Sequence, residues 1–256
     1  MSERYIVSGE KNETYYEHFQ RYHFAGDFTT DKDVLDVACG SGYGSYLLAE
    51  SGARHVSGID ISPKAIGYCR KRYSLRNLSF ETMDARDLGF ADASLDVAVS
   101  FETIEHIDDQ DAFLSELKRV LRPGGLIIIS TPNKAVYGKL PRQAHRFHVK
   151  EFSLDEFRGL IERYFDLRKL YGQRRCDSYI REVIGYNQAL SKAARENFFT
   201  KANPLRLKNY IPARLRYYLV QKIAGLPPPR ISAEDLVITE DTIENSKFFI
   251  CIAIKH

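Results

Sequence analysis

Asp33-Val-Leu-Asp36-Val-Ala38-Cys39-Gly40-Ser-Gly42-Tyr-Gly44 is followed, eighteen residues after Gly42, by the end of a second apolar run at Asp60. The first stretch reads as a buried strand that breaks into a glycine-rich turn. Asp60 reads as the acidic tip of the next strand. In an α/β sheet this pair builds a nucleoside site, because small residues let the backbone approach the ligand and the second-strand carboxylate accepts hydrogen bonds from a ribose diol. The turn departs from the dinucleotide-binding pattern in two ways. An acid, Asp36, sits inside the strand end, and the glycines run G-x-G-x-G rather than G-x-G-x-x-G. That difference suits a cationic ligand with no pyrophosphate to cradle.

Working outward, strands and helices alternate. Strand candidates cover 33–38, 54–60, 78–83, 95–101 and 126–131, with helices near 44–51, 62–73 and 108–121. Such alternation indicates a mostly parallel sheet with helices on both faces. Ser62-Pro63 supplies an N-cap and first-turn pair. Phe113, Leu114, Leu117, Val120 and Leu121 follow helical spacing, so the third helix buries one face. Arg122-Pro-Gly-Gly125 reads as a turn into the fifth strand. Ser153-Leu-Asp-Glu156 is a capping box that opens a helix running to about Tyr164. A sixth strand is expected at 166–171 and a seventh at 248–254. The expected fold is α/β, a doubly wound, seven-stranded, mostly parallel sheet of Rossmann-like type.

Two segments stand outside this alternation. Residues 12–27 predict an aromatic helix containing Tyr15, Tyr16, His18, Tyr22 and Phe24, an N-terminal cover. The stretch from about 173 to 245 is rich in Tyr and Arg, helical in composition and broken by Pro204, Pro212 and Pro227 to Pro229. It reads as a helical insertion walling the acceptor site. The expected organisation is a core over 1–172, the insertion over 173–245, and the last core strand within 246–256.

Composition bounds the function. With 44% apolar and 28% charged residues, the chain has material for a proper core and the surface of a soluble protein. Four scattered cysteines without a CxxC pair argue for a reducing compartment. The polar start carries no signal-peptide core, and no apolar run reaches the roughly 20 residues a transmembrane helix needs. A cytoplasmic location is expected. Between Arg174 and Arg230 there are twelve Lys/Arg against three Asp/Glu, so the basic charge concentrates there and the remainder is acidic. A phosphate-bearing acceptor, a peripheral membrane contact or a solvated helical face accounts for it equally well. Homo-oligomerisation stays open.

The order Asp-x-x-x-Gly-x-Gly followed by Gly58-Ile-Asp60 resembles motif I and the second-strand motif of class I S-adenosylmethionine-dependent methyltransferases. The resemblance spans about residues 30–172. It implies S-adenosylmethionine as cofactor and assigns its contacts. Asp36, Gly40 and Gly42 face the methionine end, Asp60 the ribose, and Asp84 the adenine amino group with Ala85 beside it. Ser100 closes strand four near the sulfonium, and Ala38, Ile61 and Phe101 complete the set. Similarity to relatives with an H-x-x-R-Y-x-F opening helix adds His18, Arg21 and Tyr22 over the methionine tail. Cys39 reads as small and buried rather than as a reactive thiol.

Chemistry concentrates after strand four. Ser100-Phe-Glu102-Thr-Ile-Glu105-His106 presents three potential metal ligands, and Arg146-Phe-His148-Val-Lys-Glu-Phe152 brings a fourth. The pattern resembles the metal-dependent 2′-O-methyltransferases of small-RNA 3′ ends. That implies Glu102, Glu105, His106 and His148 as ligands of a divalent ion, Mg²⁺ or Mn²⁺, with His145 competing for the place of His148. A sugar hydroxyl is a poor nucleophile, and a Lewis acid that orients a vicinal diol is worth several kcal/mol. Without metal, Glu102, His106 or His148 serves as general base, worth about 10²–10⁴-fold.

The segments RYHFAGDF, FETIEHI, STPN and FHVKEF resemble bacterial O-methyltransferases encoded among glycan genes. The leading expectation is therefore methylation of a sugar or glycan hydroxyl, on a nucleotide sugar, a lipid-linked oligosaccharide or a polymer. Quinone or catechol O-methylation is one alternative. An RNA 3′-terminal 2′-hydroxyl is another, disfavoured because no RNA-binding module accompanies the domain. A non-catalytic S-adenosylmethionine-binding scaffold is the alternative outside enzymology.

Overall fold

Each apolar run in the first half of the chain becomes a parallel strand. The computed structural model describes residues 12–137, 147–193, 222, 225 and 229–256. In it β1 (Asp33–Val37), β2 (His55–Asp60), β3 (Leu78–Thr82), β4 (Leu95–Phe101) and β5 (Leu121–Pro132) lie in the order β3-β2-β1-β4-β5. All four pairings are parallel. Beside β5 runs β8 (Phe248–Ile254), antiparallel to it and to β6 (Asp166–Arg175). The edge is β7 (Leu236–Thr239). The sheet thus has eight strands rather than seven. Only four residues long and mostly half-buried, β7 shows too little alternation to register as a strand.

β5 also begins earlier than the expected 126. Leu121 pairs with Leu95 and Leu126 with Val97, so Arg122 to Gly125 form an irregularity inside the strand. Gly124 takes φ +77°, and Arg122 swings onto Asp96 and Asp33. The turn chemistry of Arg-Pro-Gly-Gly is real, but it produces a bulge instead of a strand boundary.

Helices cover both faces. On one, α4 (Gln110–Val120) and, beyond the short α5 (Lys134–Tyr137), α6 (Leu154–Glu162) bring Phe113, Leu114, Leu117 and Phe157 against Leu35, Val37, Ile127 and Ile129. On the other, α2 (Tyr43–Glu50) and α1 (Glu13–Gly26) bring Leu48 and Tyr22 against Val34, Val56, Val97 and Val99. Adjacent strand residues go to opposite faces, the period-two rule of a strand buried on both sides. α3 (Pro63–Arg72) starts at Ser62, whose hydroxyl accepts from Ala65 N. The capping box at α6 forms in both directions between Ser153 and Glu156.

α1 is tied to the sheet by polar contacts. Glu17 pairs with Lys247, Arg21 donates to Gln173 Oε1, and Gln173 donates back to Glu17 O and Gln20 Oε1. Tyr22 donates to Asp36. The Tyr22 ring lies on Gly44, where a Cβ would come within 2.0 Å of it.

The chain divides into two compact units, one of Met1–Arg174 with Leu236–His256 and one of Arg175–Asp235. The second contains α7 (Asp177–Ala193), with Cys176 N donating to Asp235 O at 2.7 Å. The expected prolines 204, 212, 227 and 228, and His145, lie outside the described residues. Among the described residues no helix is long and apolar enough to cross a membrane.

Gly44→Ala should cost about 1–3 kcal/mol by overpacking against Tyr22. Gly67→Ala, inside α3 with nothing near the new methyl, should stabilise by about 0.4–1 kcal/mol. Denaturant melts of the two variants check this pair; equal midpoints would contradict the packing of α1 on the glycine turn.

Candidate active site

Strand order reverses between β1 and β4, and ligands of open α/β sheets bind beyond the carboxyl ends of strands at that point. A cavity of about 620 Å³ opens there. After β1 it is walled by Ala38 and Gly40, after β2 by Asp60 and Ile61, and after β3 by Asp84 and Ala85. After β4 come Phe101, Glu102, Glu105 and His106, and His18 and His148 close the wall.

The turn after β1 is shaped for close approach. Ala38 and Gly40 take left-handed backbone, φ +58° and +56°, and nothing lies within 4 Å of where a Gly40 Cβ would be. Asp60, at the tip of β2, accepts from Gly40 N at 3.0 Å and from Ser62 N at 2.8 Å. The carboxylate is thereby fixed against the turn at the cavity wall. An open glycine beside a fixed carboxylate fits a ribose diol, so these residues suit S-adenosylmethionine. Asp84 accepts from Arg86 on both oxygens, and Arg86 also reaches Asp108 at 2.7 Å. Those bonds hold the Asp84 carboxyl below its usual range. Burial keeps His18 well below the ordinary imidazole value, with Arg21 and Lys247 adding to the effect.

Five residues expected at the cofactor do not line the cavity. Asp36 is fully buried behind the turn, accepting from Ser45 Oγ at 2.6 Å and Tyr22 Oη at 3.1 Å. Burial drives its carboxyl up to about 7, against the lowering effect of the two hydroxyls. Tyr22 is committed to that bond. Gly42 faces α3, with Cys69 Sγ 2.7 Å from its Cβ position. Ser100 is buried inside β4, and its hydroxyl has no hydrogen-bond partner. Arg21 is fully buried, its guanidinium 4.5 Å from the Phe248 ring centre. Ser100 adjoins the lining residue Phe101 in the strand, and the strand period turns it to the other face.

At the acceptor end, β4 stops at Glu102, which takes φ +53°, and a 3₁₀ turn follows over Ile104–His106. A left-handed non-glycine residue costs of order 1–3 kcal/mol and persists only where its surroundings hold it. Here Ser130 Oγ donates to Glu102 Oε1 at 2.7 Å. Glu105 is fully buried; Oε2 accepts from Thr131 Oγ1 at 3.2 Å, while Oε1 has no hydrogen-bond partner. Burial, with Glu102 nearby, pushes its carboxyl well above the usual range. The Glu105 carbonyl accepts from Val149 N and Lys150 N, a clip that brings His148 to His106 with ring centres 4.9 Å apart. His148 Nδ1 lies 3.1 Å from Glu151 Oε1, and His106 Nδ1 lies 3.0 Å from Phe147 O. When each Nδ1 carries the proton toward its partner, each Nε2 is left as the base or ligand atom.

One ligand atom from each of Glu105, His106 and His148 lies within 4.8 Å of the others. Glu102, the fourth expected ligand, also lines the cavity but lies outside that group, with Ser130 Oγ on its Oε1. Tyr137 and Arg86 line the cavity without having been expected there, and no sequence signal marked them. Glu151 closes the H-x-x-E spacing that begins at His148 and meets its ring.

Residues 35–129 match the family model of a methyltransferase domain. The chain is 39% identical over 132 residues to a probable S-adenosylmethionine-dependent methyltransferase of Mycolicibacterium smegmatis, covering 51% of this chain and 50% of that protein. A fatty-acid O-methyltransferase of the same organism is 39% identical over 98 residues, covering 38% and 36%. The chain thus spans half or less of the length of these relatives. Among solved structures, the [4+2]-cyclase SpnF has a TM-score of 0.58 at 18% identity, covering 97% of this chain and 84% of that one. The matches show a likeness to a methyltransferase domain over residues 35–129, and the solved structures share its Rossmann-like fold. The cyclase shows that the fold by itself does not decide the reaction.

Asp36 carries a pH signature. Its folded value of about 7 lies above the ordinary 3.8, so between these the folded chain holds a proton that the unfolded chain has released. Stability should therefore fall as pH rises from about 4 to 7 and level off above. Across pH 5 to 8 the loss is about 2–3 kcal/mol, at 1.36 kcal/mol per unit. Denaturation of Asp36→Asn should show a smaller difference between these pH values than the parent protein; an equal difference would contradict the assignment.

Proposed function

We propose that this chain transfers a methyl group from S-adenosylmethionine to a hydroxyl oxygen of a sugar or glycan. The observation that carries the reading is the placement of Glu105, His106 and His148 in the wall of the cavity whose other end is Gly40 and Asp60. Bound S-adenosylmethionine supplies an electrophilic methyl on a sulfonium. Gly40, Ala38, Asp60, Ile61, Asp84 and Ala85 hold the cofactor, with His18 and Phe101 toward its methionine end. Asp36, Gly42, Ser100, Arg21 and Tyr22 act from behind, by fixing the turn and α1.

The acceptor hydroxyl must lose a proton as its oxygen attacks. His148 is built for that task, because Glu151 orients its ring and stabilises the imidazolium once Nε2 has taken the proton. The same residues fit a divalent cation. The buried Oε1 of Glu105 has no hydrogen-bond partner and sits beside two imidazoles. Mixed nitrogen and oxygen donors suit Mn²⁺ better than Mg²⁺. A cation held there would act as a Lewis acid on the hydroxyl. A phosphate-bearing sugar acceptor and a cytoplasmic setting belong to this reading, and the basic charge from Arg174 to Arg230 is compatible with the first.

A second reading, methylation of a lipid oxygen, is favoured by the fatty-acid O-methyltransferase likeness and by the exposed apolar side chains at the cavity. Ile61 and Val149 line it yet are 61% and 60% exposed.

Radiolabelled methyl transfer to nucleotide sugars and to fatty acids, with and without EDTA, separates these readings. EDTA should abolish turnover and Mn²⁺ restore it, and His148→Ala should lose about 10²–10⁴-fold in kcat. Full activity in EDTA would refute the cation, and an unimpaired His148→Ala would refute both roles of the histidine. Transfer to fatty acids but to no sugar would replace the first reading by the second.

A further inference from the structure

Cys39 and Cys69 are thirty positions apart, and nothing in their spacing links them. The fold brings them together. Cys39 lies in the glycine turn after β1, and Cys69 lies on the face of α3 that packs beneath that turn. Both belong to one buried cluster with Ile66 and Phe80. Cys69 Sγ also lies 3.4 Å from the Gly40 carbonyl and 2.7 Å from the Cβ position of Gly42.

We propose that Cys39 and Cys69 form a redox-sensitive dithiol under the cofactor turn, which a peroxide converts to a disulfide that weakens cofactor binding. The link to cofactor binding rests on the function proposed above, whereas the dithiol stands on geometry alone. Gly40 both lines the cavity and touches Cys69, so the wall between cavity and thiols is one glycine thick. No atom lies within 4 Å of the Gly40 Cβ position, so the turn is open to the cavity at the residue that covers the fully buried Cys69. Cys69, whose sulfur touches the cavity-lining Gly40, is the thiol placed to react first, and its interaction with Cys39 holds it below the usual range.

The steps balance. Cys69 sulfur attacks one oxygen of hydrogen peroxide, the O–O bond breaks, and the departing hydroxide takes the thiol proton as water. Cys69 is then a sulfenic acid. Cys39 sulfur attacks Cys69 sulfur, the S–O bond breaks, and the hydroxyl leaves with the Cys39 proton as a second water. Two thiols lose two electrons in all, and both peroxide oxygens are reduced. A disulfide requires the sulfurs at about 2.05 Å, closer than two unlinked thiols. Closing that distance pulls Cys39, and Gly40 with it, toward α3. Gly40 N is the donor that holds Asp60, so the pull acts on the ribose carboxylate. Intracellular dithiols of this kind are transient and sensory rather than structural.

The test uses the full chain, reduced and then treated with hydrogen peroxide. Intact mass should fall by about 2 Da, with peptide mapping placing the link between Cys39 and Cys69. Dithiothreitol should reverse it, Cys69→Ser and Cys39→Ala should abolish it, and Cys176→Ser should leave it intact. Calorimetry should then show S-adenosylhomocysteine binding at least about ten-fold weaker in the oxidised protein. Oxygen additions without a link, or a link through Cys176 or Cys251, would overturn the dithiol. Equal affinity in both redox states would overturn the switch. Binding in neither state would contradict the proposed function instead, and the mass result would still decide the dithiol.

Discussion

A buried carboxylate, Asp36, is the point on which the site depends. Its neighbours in the hydrogen-bond network are hydroxyls from two helices, Ser45 of α2 and Tyr22 of α1. One side chain of β1 thus fixes both helices that flank the glycine turn. Burying such a group is unfavourable unless hydrogen bonds compensate, and removal of either hydroxyl would leave the acid with only one of its two side-chain partners. The contact of Tyr22 with Gly44 follows from the same constraint, because the ring must cross that glycine to reach Asp36. Position 44 therefore has to be glycine for reasons of packing, whereas Gly40 is open for approach to the cavity.

The parallel sheet then assigns the two ends of the cavity. Turns after β1, β2 and β3 present backbone and carboxylates, suited to a nucleoside. The turn after β4 is strained at Glu102 and clipped to residues 149 and 150 through the Glu105 carbonyl. That clip sets two imidazoles against a buried carboxylate, an arrangement with proton-accepting or cation-binding capacity. Both ends stand on strand termini of a rigid sheet, the usual condition for precise positioning.

Much of this was legible in the sequence where a period and a boundary coincided. The strand run from Asp33 to Val37, the Ser62 cap and the Ser153/Glu156 box were readable because each has a local physical cause. β7 was not, because four half-buried residues at an edge carry no period. β5 was shortened in the reading because a bulge and a turn share the residues Arg-Pro-Gly-Gly. In the site, a motif reports which segment reaches the cavity but not which side chains face it. Asp60 and Ile61 line it, whereas Asp36, Gly42 and Ser100 face away, a difference decided by side-chain direction. Glu102 lines the cavity but stands apart from the group of Glu105, His106 and His148, and Ser130, far along the chain, holds one of its oxygens. Tyr137, Arg86 and the Cys39/Cys69 pair required the tertiary fold.

The central claim is that the turn at Gly40 and the carboxylate of Asp60 hold the adenosyl part of the cofactor. Titration calorimetry with S-adenosylhomocysteine tests it most directly, since no acceptor or metal is needed. One site per chain is predicted, with Asp60→Ala weakening binding by about ten- to hundred-fold, the loss of a hydrogen bond to a charged group of about 1.5–3 kcal/mol. No heat with the parent protein, or unchanged affinity in a folded Asp60→Ala, would contradict the account.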